Sequence, residues 1–348
     1  MISFVWMSNY PFLAGTGGSE NYTAGHIREL RKRGIDANII TIGLGKNDGR
    51  EDFPDISFHA IDSPEELSQL DATLVFVIYP IEVKTKYPSY VILHCPLSLC
   101  DQDNAFSVKG AADKNLIAPS SYAANMWAQH FKRPNVPVVY PFADDAFAKV
   151  AIPKRTDKKI RILFAGRLTP DKGVYTLMAA LHFKVLHALD FELTATTACG
   201  HSVEGTIVKT LFAAHPLINM VPARKSPEAM AQLMAEHDIV VMPTTDQFWH
   251  EAFGIVSVEA QHAGCRVVAS NAGGLPETDC GGLVLVEPDN PLSLAQGIAA
   301  AAKLGRLTET ERAEATRHFT VKESVDELLR VMKQDIKALP SPRMASNR

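Results

Sequence analysis

Residues 159–166 read KIRILFAG, a short apolar run that ends at a glycine. This run begins a second series of apolar stretches that alternate with amphipathic helical segments, like the series that starts at residue 2. Such an alternation predicts parallel strands that are covered by helices on both faces. Two successive series predict an α/β protein with two doubly wound parallel-sheet domains.

The predicted strands are short and apolar, and amphipathic helices follow several of them. One helix is predicted at 20–34, where Ser19 can cap the start and Gly34 can end it. The strands are predicted at 2–7, 37–42, 72–78, 90–95 and 115–120 in the first series, and at 159–166, 191–196, 217–221, 238–243, 265–270 and 282–287 in the second.

A polar stretch at 143–158 separates the two series, and we interpret it as a linker with few packing partners. We therefore expect one domain at 1–147 and a second at 148–318. A C-terminal helix is expected at 319–338, followed by a disordered tail at 339–348.

Composition excludes several classes of protein. The 348 residues are 46% hydrophobic, which is typical of a globular protein, and the net charge of −4 does not indicate a nucleic-acid partner. Five cysteines without a C-x-x-C pair fit free thiols in a reducing compartment. No apolar stretch reaches the roughly 20 residues that span a bilayer. We predict a cytoplasmic protein whose membrane contact is at most peripheral, and a basic cluster (Arg28, Arg31, Lys32, Arg33) leaves such a contact open.

The glycine-rich stretch AGTGGSE (14–20) connects the first strand to the first helix. Gly17 and Gly18 let backbone N–H groups approach an anion, and the helix N-terminus adds partial positive charge. The stretch lacks the full G-x-G-x-x-G pattern, and no acidic residue ends the second strand, so a dinucleotide site is not expected. A contact with a ligand phosphate and a plain strand–helix turn both remain open.

Two cations lie in GRLTPDKG (166–173), between a strand that ends at Gly166 and a helix that begins near Gly173. Ligands of doubly wound sheets bind at the carboxyl ends of the strands. The guanidinium of Arg167 and the ammonium of Lys172, beside a helix N-terminus, suit a diphosphate. The alternative is a solvated surface loop.

The stretch EAFGIVSVE (251–259) carries two carboxylates after another predicted strand. Glu251 lies in the exit loop, and Glu259 lies inside the following helix among apolar residues. Burying a carboxylate costs free energy unless it is paired, and the hydroxyls of a sugar could pair with both side chains. The alternative is a loop charge together with a carboxylate that the helix dipole favours.

Two further candidates follow strand ends. In SNAGGLPE (270–277), Gly273 and Gly274 allow close backbone approach to an anion or a ring, although a plain turn would use the same residues. His94 lies in the strand predicted at 90–95 and is expected to face the predicted cleft. A histidine at a strand end is more often structural than catalytic, so both interpretations stay open.

The ordered set GGSE, GRLTPDKG, E-x7-E and AGGLPE resembles the retaining nucleotide-sugar glycosyltransferases of the GT-B fold, in particular glycosyltransferase family 4. The resemblance covers nearly the whole chain. It implies two Rossmann-like domains that face a central cleft, an acceptor side in the first domain, a donor site in the second, and a last helix that returns to the first. One departure is YPFADDAF (140–147), where Phe142 and Ala143 replace the family's Asn and Gly.

The resemblance also implies roles for individual residues. Arg167 and Lys172 would bind the donor diphosphate, Glu251 the transferred sugar and Glu259 the nucleotide ribose. His94 would lie near the reacting sugar. Further contacts to the donor are implied for Gly17, Gly18, Gly166, Gly254, Ile255 and Val256.

The implied reaction is a front-face substitution that retains the anomeric configuration. Neither a metal nor a cofactor is expected, because two side-chain cations can stabilise the leaving diphosphate. The expected partners are a nucleotide-sugar donor and an acceptor hydroxyl on a glycan, a lipid-linked molecule or a small molecule. The alternatives are an epimerase or phosphorylase on the same fold, and a non-catalytic nucleotide-sugar-binding partner subunit.

Overall fold

The structure, a computed structural model, describes residues 1–6, 10–15, 17–77, 80–94, 110–198, 203–247 and 250–338. The tail predicted at 339–348 lies outside these residues, as do Cys95, Cys100 and Cys199. Cys265 and Cys280 are buried free thiols, as the sequence predicts.

The first sheet has six parallel strands in the order β3-β2-β1-β4-β5-β6. Five of them confirm predicted strands. The edge strand β3 was not predicted, because its four residues, FHAI, are few and include His59. The strands are β1 (Ile2–Trp6), β2 (Ala37–Ile42), β3 (Phe58–Ile61), β4 (Thr73–Val77), β5 (Tyr90–Ile92) and β6 (Asn115–Ile117).

The second sheet, again of six parallel strands, has the order β12-β11-β10-β7-β8-β9. Its strands are β7 (Ile160–Phe164), β8 (Phe191–Thr196), β9 (Ile218–Val221), β10 (Ile239–Met242), β11 (Arg266–Ser270) and β12 (Leu283–Val286). Counted from β7, this order repeats that of the first sheet. The predicted pair of doubly wound parallel sheets is therefore confirmed. The order reverses between β7 and β10, and a ligand crevice opens beyond the carboxyl ends of strands at such a point.

Helices connect the strands, and the first of them begins earlier than predicted. Gly17, not Ser19, is the cap residue of this helix, and the Ser19 hydroxyl instead contacts the Glu20 carboxylate at 3.1 Å. Gly34 has a φ of +77°, as expected where a helix ends. The helices are α1 (Gly18–Lys32), α2 (Ser121–Phe131), α3 (Asp145–Lys149), α4 (Val174–Ala180), α5 (Lys184–His187), α6 (Val203–Ala214), α7 (Pro227–Ala235), α8 (Ile255–His262), α9 (Pro291–Leu304), α10 (Glu309–Ala315) and α11 (Val321–Ala338).

Both faces of each sheet are packed, which explains why the strands read as continuous apolar runs. On β1, Phe4 belongs to a hydrophobic cluster on one face, and Val5 belongs to a separate cluster on the other. On β7, Ile162 belongs to one hydrophobic cluster and the next residue, Leu163, belongs to another on the opposite face. Since successive strand residues point to opposite faces, each sheet lies between two hydrophobic layers.

The chain crosses between the domains in a segment that is packed, not loose. Asp144 caps α3, and Phe147 is buried in the core of the second domain. Arg312 donates hydrogen bonds to the carbonyl oxygens of Phe147, Ala148 and Val150 at 2.9–3.0 Å. The expectation of few packing partners over 143–158 is therefore wrong, because α3 attaches the beginning of this stretch to the second domain.

Helix α11 packs against α1 in the first domain. Ser324 on α11 donates a hydrogen bond to the Tyr140 carbonyl at 2.6 Å, and Arg33, which directly follows α1, pairs with Asp326 at 2.5 Å. Arg28, from the same basic cluster, pairs with Asp55 at 2.6 Å. Much of the positive charge of this cluster is thus neutralised within the molecule. Among the described residues, no helix is long and apolar enough to cross a membrane.

Candidate functional site

The loop after β7 presents its two cations at the carboxyl end of the strand, as predicted. The guanidinium of Arg167 contacts Asp171 at 2.9 Å. Lys172 Nζ lies 2.5 Å from Glu251 Oε2. The two side chains are 16% and 21% exposed, respectively. The loops after β7 and β10, which lie side by side in the sheet, thus meet through a largely buried ion pair.

Helix α8 points its N-terminus at the same region. Gly254 precedes it with φ +98°, and a Cβ there would lie 2.5 Å from Leu275, so only glycine fits this turn. The backbone N–H groups of Ile255 and Val256, in the first turn, have no partner within a helix. Together with the helix dipole they favour an anion.

Glu259, one turn further along α8, is 6% exposed and lines the cavity described below. Within the described part of the chain, no hydrogen bond or ion pair engages its carboxyl group. Burial, and secondarily the charge of Asp144, raise the pKa of this carboxyl from 4.5 to about 8. The interpretation of Glu259 as a mere helix-start charge does not fit this burial, and a ligand with hydroxyl groups would supply the missing partners.

The pKa of Glu259 predicts a pH dependence of stability. Between 4.5 and about 8, the unfolded chain loses the Glu259 proton while the folded chain keeps it, so stability falls as the pH rises through this window. We expect Glu259→Gln to remove this loss. The melting temperature of the variant, measured relative to that of the wild type at the same pH, should therefore increase from pH 5 to pH 8. Exposed Glu309→Gln is the control. Parallel pH curves for wild type and Glu259→Gln would refute the raised pKa.

His94 lies at the carboxyl end of β5, where it lines a second cavity of about 260 Å³ together with Tyr22, Lys172 and Glu251. Its Nε2 is buried without a hydrogen-bond partner, and its ring meets that of Tyr22 edge-on at 4.9 Å. Burial, and secondarily His26, lower the pKa of His94 to about 3, so the imidazole is neutral. A neutral ring with an unpartnered nitrogen can exchange a hydrogen bond with a hydroxyl group.

The main cavity, of about 570 Å³, lies between the domains. From the first domain, Gly15 packs against the backbone of Lys225, and Gly18 faces Ile255. The eleven residues to which the resemblance assigns roles all line at least one of the two cavities. Arg167, Lys172, Glu251, Gly18, Gly254 and Ile255 line both, Gly17, Gly166, Val256 and Glu259 line only the main one, and His94 lines only the second.

Gly273 and Gly274 do not line either cavity. They pack instead on the backbone of the loop after β10, where Gly274 N donates a hydrogen bond to Glu251 O at 2.8 Å. In the structure they therefore position the loop that lines the cavities, and the alternative of a direct approach to a ligand stays untested.

Sequence reasoning missed Arg224 and Lys225, which line the main cavity after β9. Within the described residues, neither side chain has an ion pair or a hydrogen bond. They follow the strand predicted at 217–221, so the rule that identified Arg167 and Lys172 applies to them equally. Over the same residues no group of three or more metal-ligating side chains is found, and the expectation that no metal is required stays a prediction.

Comparison with known proteins points to one family. Residues 159–303 match the model of the family described as Glycosyl transferases group 1. A D-inositol 3-phosphate glycosyltransferase of Corynebacterium kroppenstedtii is 33% identical over 146 residues, which are 39% of this chain and 31% of that protein. The enzyme of the same name from Xylanimonas cellulosilytica is 31% identical over 241 residues, 63% of this chain and 54% of that protein. The chain thus spans about a third to a half of the length of these relatives.

Solved structures share the fold over nearly the whole chain. A glycosyltransferase from Rickettsia africae has a TM-score of 0.72 at 19% identity, covering 97% of this chain and 99% of that one. Anabaena Alr3699/HepE, in complex with UDP and glucose, has a TM-score of 0.70 at 19% identity, covering 96% and 100%. The GT-B fold is thereby confirmed, and the match of residues 159–303 to the glycosyl transferases group 1 model agrees with the resemblance to glycosyltransferases, while the narrower assignment to family 4 stays a prediction.

Proposed function

Since residues 159–303 carry a glycosyl transferases group 1 domain on a GT-B fold, we propose that this chain is a glycosyltransferase that moves a sugar from a nucleoside-diphosphate sugar to an acceptor hydroxyl. One observation carries the proposal. A single cavity between the domains brings together two cations, Arg167 and Lys172, the N-terminus of α8, and the buried, unpartnered carboxyl of Glu259. An anion and a polyol in one molecule fit this combination, and a nucleoside-diphosphate sugar is both.

Each part of the donor binds the groups of the cavity whose chemistry it matches. The diphosphate binds Arg167, Lys172 and the backbone N–H groups of Ile255 and Val256. The ribose hydroxyls bind Glu259, because a buried carboxyl without a protein partner gains most from such a ligand. The Anabaena neighbour, solved with UDP and glucose, supports a sugar nucleotide as the donor class.

Binding of the donor changes the pairing of Lys172. In the free protein its ammonium is held by Glu251 at 2.5 Å. A diphosphate competes for that ammonium, which frees the Glu251 carboxylate to bind a hydroxyl of the transferred sugar. Lys172 and Arg167 then stabilise the negative charge that develops on the leaving diphosphate. Because two side chains supply this charge, the proposed reaction uses neither a metal nor a cofactor.

We propose a front-face substitution with retention. The bond between the anomeric carbon and the diphosphate oxygen breaks as the acceptor oxygen approaches from the same side. A phosphate oxygen of the leaving group takes the acceptor proton. His94, neutral and with Nε2 unpartnered, orients a hydroxyl of the reacting sugar. Glu251 is engaged in binding, so it is not assigned as a nucleophile.

Water as acceptor provides a test of this function that needs no knowledge of the natural acceptor. We expect slow hydrolysis of an α-linked nucleotide sugar to release the α-sugar first, as read by proton NMR before mutarotation. Lys172→Ala is the control and should release sugar at a much lower rate. A β-sugar formed first would contradict retention. No release from UDP-, GDP- or ADP-sugars would contradict the transferase.

The product mass in the same assay discriminates the rival activities. An epimerase returns an intact nucleotide sugar of unchanged mass, a phosphorylase needs inorganic phosphate, and a binding subunit gives no product. The acceptor is a molecule with a free hydroxyl group, and its class stays open among glycans, lipid-linked molecules and small molecules. Cytoplasmic location stays a prediction.

A further inference from the structure

The turn after β11 ties the two domains together through one carboxylate. Glu277 Oε2 accepts hydrogen bonds from Ser121 N at 2.7 Å and from Tyr140 Oη at 2.9 Å, and its Oε1 accepts one from Tyr122 N at 2.7 Å. Ser121 and Tyr122 are the first two residues of α2, which belongs to the first domain. Their N–H groups have no partner within a helix, so the carboxylate from the second domain satisfies them and complements the helix dipole.

A second contact lies beside the first. Ser120 Oγ, fully buried, accepts a hydrogen bond from Ala123 N at 3.0 Å and donates one to Ala252 O at 2.5 Å. Ala252 directly follows Glu251. The start of α2 thus presses from the first domain onto the loop that carries Glu251.

The turn that bears Glu277 holds the same loop from the other side. Gly274 N donates to Glu251 O at 2.8 Å. A Cβ on Gly273 would lie 2.4 Å from Glu251 O, and one on Gly274 would lie 2.3 Å from Ala252 O, so the two backbones touch. The loop at 251–253 is therefore enclosed between α2 and this turn, and Glu277 joins the two enclosing layers.

We propose that Glu277 is a positioning residue that couples closure of the two domains to the placement of Glu251. Its hydrogen bonds to Ser121 N and Tyr122 N join the two domains, so a separation of α2 from this turn would break them. The residues assigned to the donor diphosphate and ribose, Arg167, Lys172 and Glu259, all lie in the second domain and do not depend on these bonds. The role in turnover rests on the proposed function, whereas the coupling itself does not.

Hydrogen exchange measured by mass spectrometry tests the coupling without any substrate. In Glu277→Ala, the amides of Ser121 and Tyr122 should exchange roughly tenfold faster or more, as expected on loss of charge-assisted hydrogen bonds. The amide of Gly274, which reports on the Glu251 carbonyl, should accelerate with them. Glu277→Gln should be intermediate, and exposed Glu309→Gln should match the wild type. Acceleration confined to residues 120–124 would overturn the coupling, because Glu277 would then only cap α2.

Kinetics test the consequence for the reaction. Turnover of Glu277→Ala should fall roughly 10- to 100-fold, the scale of a small misplacement of a reacting group. UDP, GDP and ADP are first titrated into the wild type to find which of them binds. The affinity of Glu277→Ala for that diphosphate, measured by calorimetry, should equal that of the wild type. An equal loss of affinity, or unchanged turnover, would overturn the positioning role. If none of the three binds the wild type, the proposed function fails, and the exchange data still decide the coupling.

Discussion

Lys172→Ala should lower turnover by roughly 10²-fold or more, and Arg167→Ala should have an effect of the same order. Both side chains line the main cavity at the carboxyl end of β7, where the sheet order reverses. Each is assigned to charge that grows on the leaving diphosphate, so its loss raises the barrier of the chemical step more than it weakens ground-state binding. Release of nucleoside diphosphate from the donor measures turnover.

Lys209→Ala provides the matched control, since this exposed lysine lies on α6 and lines neither cavity. Arg167→Lys separates charge from shape, because an ammonium keeps the charge but loses the planar pair of donors. Near-normal turnover in both alanine variants, with melting temperatures like that of the wild type, would refute the phosphate assignment.

The two glutamates should respond differently to substitution. Glu259→Ala should weaken binding of the nucleoside diphosphate roughly tenfold or more, because the proposed ribose contact would be made alike in the ground and transition states. Glu251→Ala should instead lower turnover, by roughly 10²-fold, because its proposed contact to the transferring sugar would strengthen during the reaction. Calorimetry with UDP, GDP and ADP, combined with turnover, measures both effects.

The ion pair between Lys172 and Glu251 gives a further expectation for the affinity of Glu251→Ala. Without Glu251, the ammonium of Lys172 has lost its partner at 2.5 Å and is more available to a diphosphate. Glu251→Ala should therefore bind the nucleoside diphosphate as tightly as the wild type or more tightly. Equal losses of affinity in Glu251→Ala and Glu259→Ala would show that the two roles are wrongly divided.

The fold was predictable because nearly all strands read as short apolar runs, including the edge strands β9 and β12, which are only partly buried. The exception is β3, a four-residue edge strand with His59 in the middle, which lacks that signal. The cap of α1 was misplaced because Ser19 is a strong capping residue, while the glycine that precedes the helix carries no side chain to indicate it. The packing of the linker was mispredicted because many of its residues are polar. That composition does not indicate that Phe147 is buried or that Arg312 binds the backbone carbonyl groups of this segment.

The candidate site was predictable in part for a simple reason. Arg167, Lys172, Glu251 and Glu259 follow two strands that neighbour each other in the sheet, so a rule about strand ends finds them in the sequence. The contacts of Glu277 with Ser121 and Tyr122 join residues more than 150 positions apart. Such pairs depend on how the two domains meet, and no local pattern encodes that. The same rule about strand ends would also have identified Arg224 and Lys225, which follow another strand and line the main cavity.

The most direct test of the account is a calorimetric titration of the intact chain with UDP, GDP and ADP, repeated with the Arg167→Ala, Lys172→Ala double variant. Binding of an anion and a polyol in the cavity between the domains is the central claim, and titration measures it without an acceptor. The account predicts saturable one-site binding of at least one of the three diphosphates, and an affinity at least roughly tenfold weaker in the folded double variant. Absence of binding to all three, or equal affinity in the double variant, would contradict it.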